Sequence, residues 1–231
     1  MGLVSVATSA VPTDCGRVPP AFRGGGSYGC SVGPVPAPLS RPGSERDRGG
    51  TDRAGPDPLV ARPYFADGDP GPIVAALAQV PELLTVTVPF LGTILAASGI
   101  DARTKEIVIV RTSALADCEF CTRSHTTVAL DAGLSTAEVR ALRDDPAGDT
   151  SATFTAPPEV ALLGWVDAVA TGRGPVDSGA RSALGRHWAD HEIVELTLLI
   201  GATLMLNRFA TALELPTAPG VLDRLAAEDL L

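Results

Sequence analysis

Residues 106–125 of this chain read EIVIVRTSALADCEFCTRSH, and this stretch decides how the rest is interpreted. Ile107, Val110 and Ala114 recur at helical spacing in its first half. Residues 102–116 are therefore predicted to form a long buried helix. Asp117 is a residue type that caps helix N-termini, which predicts a second helix from there to Asp131, stopped by Gly133. The stretch is therefore predicted to be two helices joined by a short turn.

Three chemically reactive side chains follow that turn, namely Cys118, Cys121 and His125. At 3.6 residues per turn, spacings of three and four residues place all three on one face of the helix. The two sulfurs are then close enough to join with little backbone movement. The N–H groups at a helix start favour a thiolate, and a nearby imidazole favours it further. We therefore expect two thiols of unequal acidity, with the helix end acting most strongly on Cys118.

Glu106 lies on the preceding helix. If the two helices are antiparallel neighbours, its carboxylate lies at about the level of the His125 imidazole. A carboxylate and an imidazole that face a thiol can take the thiol proton and later return it to a leaving oxygen. The candidate catalytic residues are therefore Cys121, Cys118, His125 and Glu106.

From Pro70 onward the pattern is helical almost throughout, which predicts an all-α fold. Residues 83–88 form the one β-like stretch, and Pro89 cuts it short. Ser135 and Glu138 have the form of a capping box. Further helices are predicted at residues 72–77, 89–97, 136–143, 157–170, 177–188, 190–213 (capped by Asp190) and 219–227. Glu-Ile-Val at residue 106 recurs 86 residues later at Glu192, which indicates a possible internal repeat.

The first sixty residues differ in composition from the rest. They hold eleven Gly, nine Pro, six Arg and five acidic residues. Such a segment cannot bury enough apolar surface to offset its ordering entropy. We therefore predict a disordered tail over residues 1–62, which contains Cys15 and Cys30, and a helical domain over residues 63–231.

Overall composition excludes several classes of protein. The chain has 231 residues, with 27 acidic residues against 18 Lys and Arg and a net charge of −9. The acidic surplus argues against a nucleic-acid partner, because phosphates require basic groups. No uninterrupted apolar run reaches the ~18 residues of a membrane helix, and no secretory signal stands out. We expect a cytoplasmic protein with no membrane partner.

Glu106, Cys118, Cys121 and His125 occur at the spacing Glu-x11-Cys-x2-Cys-x3-His, which resembles the alkylhydroperoxidase D-like proteins of the carboxymuconolactone decarboxylase superfamily. The resemblance covers about residues 65–215. It implies a helical bundle that assembles into homo-oligomers, often trimers or hexamers. It also implies a thiol-dependent peroxidase that reduces hydroperoxides and needs no metal or flavin cofactor.

The same resemblance assigns roles to the site residues. It implies that Cys121 is the peroxidatic thiol, activated by His125 and Glu106. It implies that Cys118 is the more exposed resolving thiol, which closes the disulfide and meets an external dithiol reductant. The chain departs from the best-studied members at Phe120, where those members have His.

Other interpretations of the same residues remain open. The two cysteines and His125 could bind zinc with His187 or His191 as a fourth ligand. Glu106 and His125 could serve a decarboxylase that acts on a lactone-like substrate without the thiols. The two cysteines, Cys118 and Cys121, could also be the switch of a non-catalytic redox-sensing module. Among the remaining polar residues, Arg111 and Arg123 are candidates for binding a carboxylate, and Asn207 and Arg208 are assigned to subunit packing.

Overall fold

The computed structural model describes residues 70–96, 98–146 and 148–231. Over these residues it is all-helical, as predicted, with one 3₁₀ turn at Thr150–Ala152 and no strand. The predicted disordered tail, residues 1–62, and the predicted start of the domain lie outside the described residues. The helices are α1 (Pro72–Leu77), α2 (Pro81–Leu95), α3 (Ala102–Leu115), α4 (Glu119–Asp131), α5 (Thr136–Arg143), α6 (Pro157–Thr171), α7 (Ser178–Leu184), α8 (Asp190–Ala212) and α9 (Pro219–Ala227).

Helix α3 is the centre of the domain. It packs against α4, α5, α6 and α8, and every residue from Lys105 to Ala114 is buried. A helix packed on several sides has little solvent face, which agrees with the unbroken apolar run Ile107–Val110 at its centre. The polar side chains on α3 are therefore buried too, and each needs a partner from a neighbouring helix.

Two cations on α3 have such partners. The ammonium group of Lys105 donates to the carbonyls of Ile94 and Ala96 at 2.8 and 2.6 Å and lies 2.9 Å from Oε1 of Glu195. The guanidinium group of Arg111 donates to both carboxylate oxygens of Asp167, at 2.8 and 3.0 Å. These contacts join α3 to the end of α2, to α8 and to α6.

The turn between α3 and α4 differs from the prediction at one residue. Asp117 does not cap α4; it ends α3, with φ at +54°. Its N–H bonds the carbonyl of Ala114, and the N–H of Cys118 bonds the carbonyl of Ser113, both at 3.0 Å. This is the Schellman arrangement, which requires a left-handed residue that Asp tolerates better than most. Cys118 then becomes the N-cap of α4.

Three other predicted helix boundaries are corrected. Pro89 lies inside α2, and residues 83–88 are helical, because burial of Leu84 and Ile94 outweighs the one hydrogen bond that a proline removes. Helix α7 ends at Leu184 rather than at residue 188. The N-cap of α8 is Ala189, whose N–H donates to the Glu192 carboxylate at 2.7 Å. The capping box at residues 135–138 is present as predicted.

Helix α8 is long and apolar enough to cross a membrane by length and composition alone. Eight of its residues are buried within the domain instead, and it packs against α2, α3, α4 and α6. The proposed repeat does not extend along it: α8 runs uninterrupted through Leu204, whereas the matching position in the first half, Cys118, follows a turn. The similarity is confined to two helices of the core that each contain Glu-Ile-Val within their first two turns.

Candidate active site

The two acid–base candidates are brought together by the packing of α3 against α4. Nδ1 of His125 lies 2.9 Å from Oε2 of Glu106. The Glu106 side chain is only 9% exposed and the His125 side chain 28% exposed. The buried carboxylate therefore holds one ring nitrogen, and the imidazole keeps its other nitrogen for a second partner.

The two cysteines are free thiols at the start of α4. The backbone N–H of Cys121 donates to Sγ of Cys118 at 3.4 Å. The Cys118 sulfur also accepts a hydrogen bond from the Cys121 thiol. A third hydrogen bond to the same sulfur comes from the Thr211 hydroxyl on α8. The pair thus forms a local network in which one sulfur accepts and the other donates.

This network separates the acidities of the two thiols. The hydrogen bond from the Cys121 thiol, helped by the backbone N–H and Thr211, lowers the pKa of Cys118 to about 6, against opposing effects of burial and Asp117. The same hydrogen bond, together with burial and the neighbouring Cys118 charge, raises the pKa of Cys121 far above its ordinary value. Cys118 is therefore the more acidic thiol of the pair.

The two cysteines do not differ in exposure as expected, since Cys118 was predicted to be the more exposed thiol. Cys118 is 1% exposed and Cys121 is 5% exposed, so Cys118 is not the more exposed thiol. The reason is its N-cap position, where it packs with Ala210 and is covered by Phe120 and Leu215. What distinguishes Cys118 is the kind of cavity that it faces.

Each sulfur contributes to a different cavity. Cys118 lines a cavity of about 680 Å³ whose other walls are mostly polar. Its charged residues are Asp117, Glu119, Arg123, Arg143, Asp144 and Glu214. Cys121 and His125 line a second cavity of about 150 Å³. Its walls are largely apolar and include Ile73, Leu91, Ile94, Leu95, Ile109, Leu199 and Leu206.

The sequence did not reveal the polar residues that α8 brings to the site. Asn207, 1% exposed, lines the smaller cavity with Ser113. Ser113 donates to Oδ1 of Asn207 at 3.1 Å, and Nδ2 of Asn207 donates to the carbonyl of Thr112 at 3.4 Å. Asn207 therefore joins α8 to α3 inside this chain, rather than serving subunit packing as predicted. A polar residue in an apolar helical run was the one signal that could have marked it.

Of the other candidates, Arg111 lines neither cavity, whereas Arg123 lies in the wall of the cavity that contains Cys118. Arg111 is held by Asp167, and Arg123 pairs with Glu119 at 2.5 Å. Across the described ranges, no three His, Cys, Asp or Glu side chains are arranged to hold a metal ion. The alternative zinc set, in which His187 or His191 joins the cysteines, is therefore not assembled there.

The described residues form an all-helical domain with a Cys-x-x-Cys pair at a helix start and a buried Glu–His pair beside it. Known proteins share features of this domain. Residues 81–156 match the model of the carboxymuconolactone decarboxylase family. Solved structures of AhpD-like proteins share the fold over most of the described residues. The chain is therefore similar in sequence to the carboxymuconolactone decarboxylase family over residues 81–156, and its fold is similar to that of AhpD-like proteins.

Three solved structures illustrate the range of relatives. A protein of unknown function from Agrobacterium tumefaciens, named as a candidate antioxidant defence protein AhpD, is 26% identical, with a TM-score of 0.56 over 62% of this chain and 95% of that one. A peroxidase-related protein from Silicibacter sp. TM1040 is 17% identical, with a TM-score of 0.62 over 73% and 90%. The debrominase Bmp8 in complex with 2,3,4-tribromopyrrole is 18% identical, with a TM-score of 0.58 over 74% and 90%. No curated protein matches the sequence.

Proposed function

We propose that this protein is a thiol-dependent peroxidase that reduces hydroperoxides through Cys121 and Cys118, assisted by His125 and Glu106. One observation carries the proposal. Cys121 and His125 line the same small cavity, and the buried Glu106 carboxylate holds the far side of the imidazole at 2.9 Å. A thiol, a base and a carboxylate that orients the base are the parts that nucleophilic catalysis requires.

The first step takes place in the smaller cavity. The thiol proton of Cys121 leaves its hydrogen bond to the Cys118 sulfur and passes to Nε2 of His125, and the Cys121 sulfur attacks the terminal oxygen of the hydroperoxide. The O–O bond breaks, the sulfur becomes a sulfenic acid, and the departing alkoxide takes the proton back from His125 to leave as an alcohol. The raised pKa of Cys121 gives the reason for a base, since the surroundings of this thiol disfavour its ionisation.

The second step uses the charge stored on Cys118. Its thiolate, with a pKa of about 6, attacks the Cys121 sulfur and expels hydroxide, which is protonated to water. A disulfide forms between the two. An external dithiol then donates two electrons, restores both thiols and is itself oxidised to a disulfide. This assignment needs no metal or flavin, and we place it in the cytoplasm, where reductants maintain thiols.

The lining of the cavity disfavours the decarboxylase alternative. A lactone acid carries a carboxylate, which requires a cationic partner when it leaves water. In the described part of the chain, no Lys or Arg lines the cavity that contains His125 and Cys121. The cavity suits a molecule with little charge, such as an organic hydroperoxide.

Assembly into a homo-oligomer is part of the proposal. Large apolar side chains are exposed on two helices that pack together, α2 and α8. They are Val80 before α2, Leu83, Val86, Phe90 and Leu95 on α2, and Val194, Leu198 and Met205 on α8. Exposed large apolar side chains on two neighbouring helices are typical of a subunit interface, and we propose that a trimer or hexamer buries them.

Peroxide consumption with a dithiol donor tests the proposal. Cys15→Ser and Cys30→Ser are introduced first, so that the pair provides the only thiols, and this variant is the active control. Cys121→Ser and Cys118→Ser are each expected to abolish turnover in that background. A lactone acid and a brominated pyrrole are assayed beside the hydroperoxide.

Three outcomes would overturn it. Turnover of the lactone acid that survives both cysteine substitutions would identify a decarboxylase. Debromination in place of peroxide reduction would identify an activity like that named for Bmp8. Absence of all turnover, with a disulfide that forms and reduces reversibly in thiol alkylation, would identify a redox sensor.

A further inference from the structure

Phe120 stands between the two cavities of the site. It lines the polar cavity that contains Cys118 and also the apolar cavity that contains Cys121 and His125. Among the described residues that form the two cavities, it is the one side chain common to both. The ring packs against the cluster that contains both cysteines, so it lies in the walls of both cavities next to the sulfur pair.

The two cavities differ in the molecules that they can accept. The larger one has four carboxylates and two guanidinium groups in its walls, so charged or polar groups entering it retain polar neighbours. The walls of the smaller one are largely apolar, and its polar side chains include no Lys, Arg, Asp or Glu: they are Ser113, Ser124, His125, Thr203 and Asn207. Moving a charged group into such surroundings without a partner is unfavourable by several kcal/mol.

We propose that Phe120 is a specificity-determining partition, which keeps charged molecules away from Cys121 and confines them to Cys118. This inference rests on the proposed function, in which the hydroperoxide meets Cys121 and the reductant meets Cys118. The benzyl ring supplies bulk and no hydrogen-bonding group. It therefore forms a wall between the two cavities that charged groups, and the water that would accompany them, do not cross.

The partition gives the proposed reaction its order. An uncharged hydroperoxide reaches the sulfur that has the acid–base pair beside it. A polar dithiol reaches only the sulfur at the wall of the larger cavity, so it reduces the completed disulfide by attack on Cys118. Removal of the ring would join the cavities and expose Cys121 to both kinds of molecule.

Alkylation of Cys121 by a neutral and a charged reagent of similar size tests the partition. The protein carries Cys15→Ser, Cys30→Ser and Cys118→Ser, so that Cys121 is its one thiol. Rates are measured with iodoacetamide and with iodoacetate, both of which lose iodide when the sulfur attacks. Their ratio cancels the fraction of thiolate, since both reagents react with the same ionised sulfur.

With Phe120 in place, we expect the ratio at Cys121 to exceed that of a free cysteine in solution by about tenfold. In Phe120→Ala the excess should disappear, whereas Phe120→Leu, which retains an apolar side chain of substantial size, should keep most of it. Circular dichroism confirms that each variant is folded. Equal ratios in the parent protein and Phe120→Ala, or a parent ratio equal to that of free cysteine, would overturn the proposal.

This experiment requires no peroxidase turnover, so its failure is distinct from failure of the proposed function. A protein without peroxidase activity that still shows the expected ratios would retain the partition and lose the assigned reaction. A peroxidase whose ratios do not respond to Phe120→Ala would retain the reaction and lose the partition.

Discussion

Nδ1 of His125 on α4 lies 2.9 Å from Oε2 of Glu106 on α3, and this contact fixes the direction of the imidazole. The carboxylate holds the Nδ1 side of the ring, which leaves Nε2 as the nitrogen available to the cavity that Cys121 lines. Because Glu106 is nearly buried, water competes little for its oxygens. The pair is therefore a preorganised base rather than a surface ion pair.

Removal of the base should slow oxidation of the cysteine pair. We expect His125→Asn to lower the rate of disulfide formation with an organic hydroperoxide by about 100-fold, within the range of general acid–base catalysis. Glu106→Gln should lower it in the same direction, because the ring loses its anionic partner. The rate is measured by quenched thiol labelling. Glu82→Gln, at an exposed position on α2, serves as the control, and parent-like rates in both site variants would contradict the prediction.

Alkylation of Cys118 should report its lowered pKa. The thiolate is the reactive form, so the rate with iodoacetamide should rise with pH around a midpoint near 6. Cys121→Ala removes the thiol that donates to Cys118, and the midpoint should move upward toward 9.0, the ordinary value. At pH 7 the variant thiol is then mostly protonated and reacts more slowly.

Thr211→Val provides a matched test of the same network. It removes one hydrogen-bond donor from the Cys118 sulfur and preserves the shape of the side chain. We expect a smaller upward movement of the alkylation midpoint than in Cys121→Ala. Midpoints that stay near 6 in both variants would show that these donors do not set the acidity of Cys118.

Lys105 should be required for stability rather than for chemistry. Its ammonium group is buried and contacts two carbonyls at the end of α2 and the Glu195 carboxylate. Lys105→Met leaves those acceptors without their donor, which should lower the free energy of unfolding by about 3 kcal/mol. Urea titration measures the loss. If the free energy of unfolding fell by less than about 1 kcal/mol, the contact would contribute no more than an ordinary surface ion pair, which would contradict the prediction.

Charge placed on the exposed apolar face of α2 and α8 should weaken assembly. We expect the parent protein to have a solution mass that is a multiple of the 23.7 kDa chain. Val86→Glu or Leu198→Glu should shift this mass toward that of the monomer, because a carboxylate buried in an apolar interface has no partner. Val160→Glu, at an exposed position on α6, is the control. A monomeric parent, or an equal effect of the control, would contradict the prediction in light-scattering measurements.

Sequence patterns predicted the elements that depend on local interactions. The helical period, the glycine with positive φ at Gly133 and the capping box at Ser135 act within a few residues, so an all-α fold and most helix positions could be predicted. The helical spacing of Cys118, Cys121 and His125 is also local. The errors occurred where burial outweighed local preference, as at Pro89 inside α2, or where Asp117 ended one helix instead of beginning the next.

By itself, the sequence determined that two thiols and an imidazole lie along one helix, because spacing on a helix is fixed by backbone geometry. The spacing also predicted that Cys118 is the more acidic thiol, because it lies at the helix start. Only the tertiary structure decided which cavity each sulfur faces and which side chains of other helices contact it. The acidity of Cys118 depends partly on Thr211 from α8, and the walls around Cys121 come from α1, α2, α3 and α8 as well as α4. Such contacts join residues far apart in the chain, and they exist only once the helices have packed.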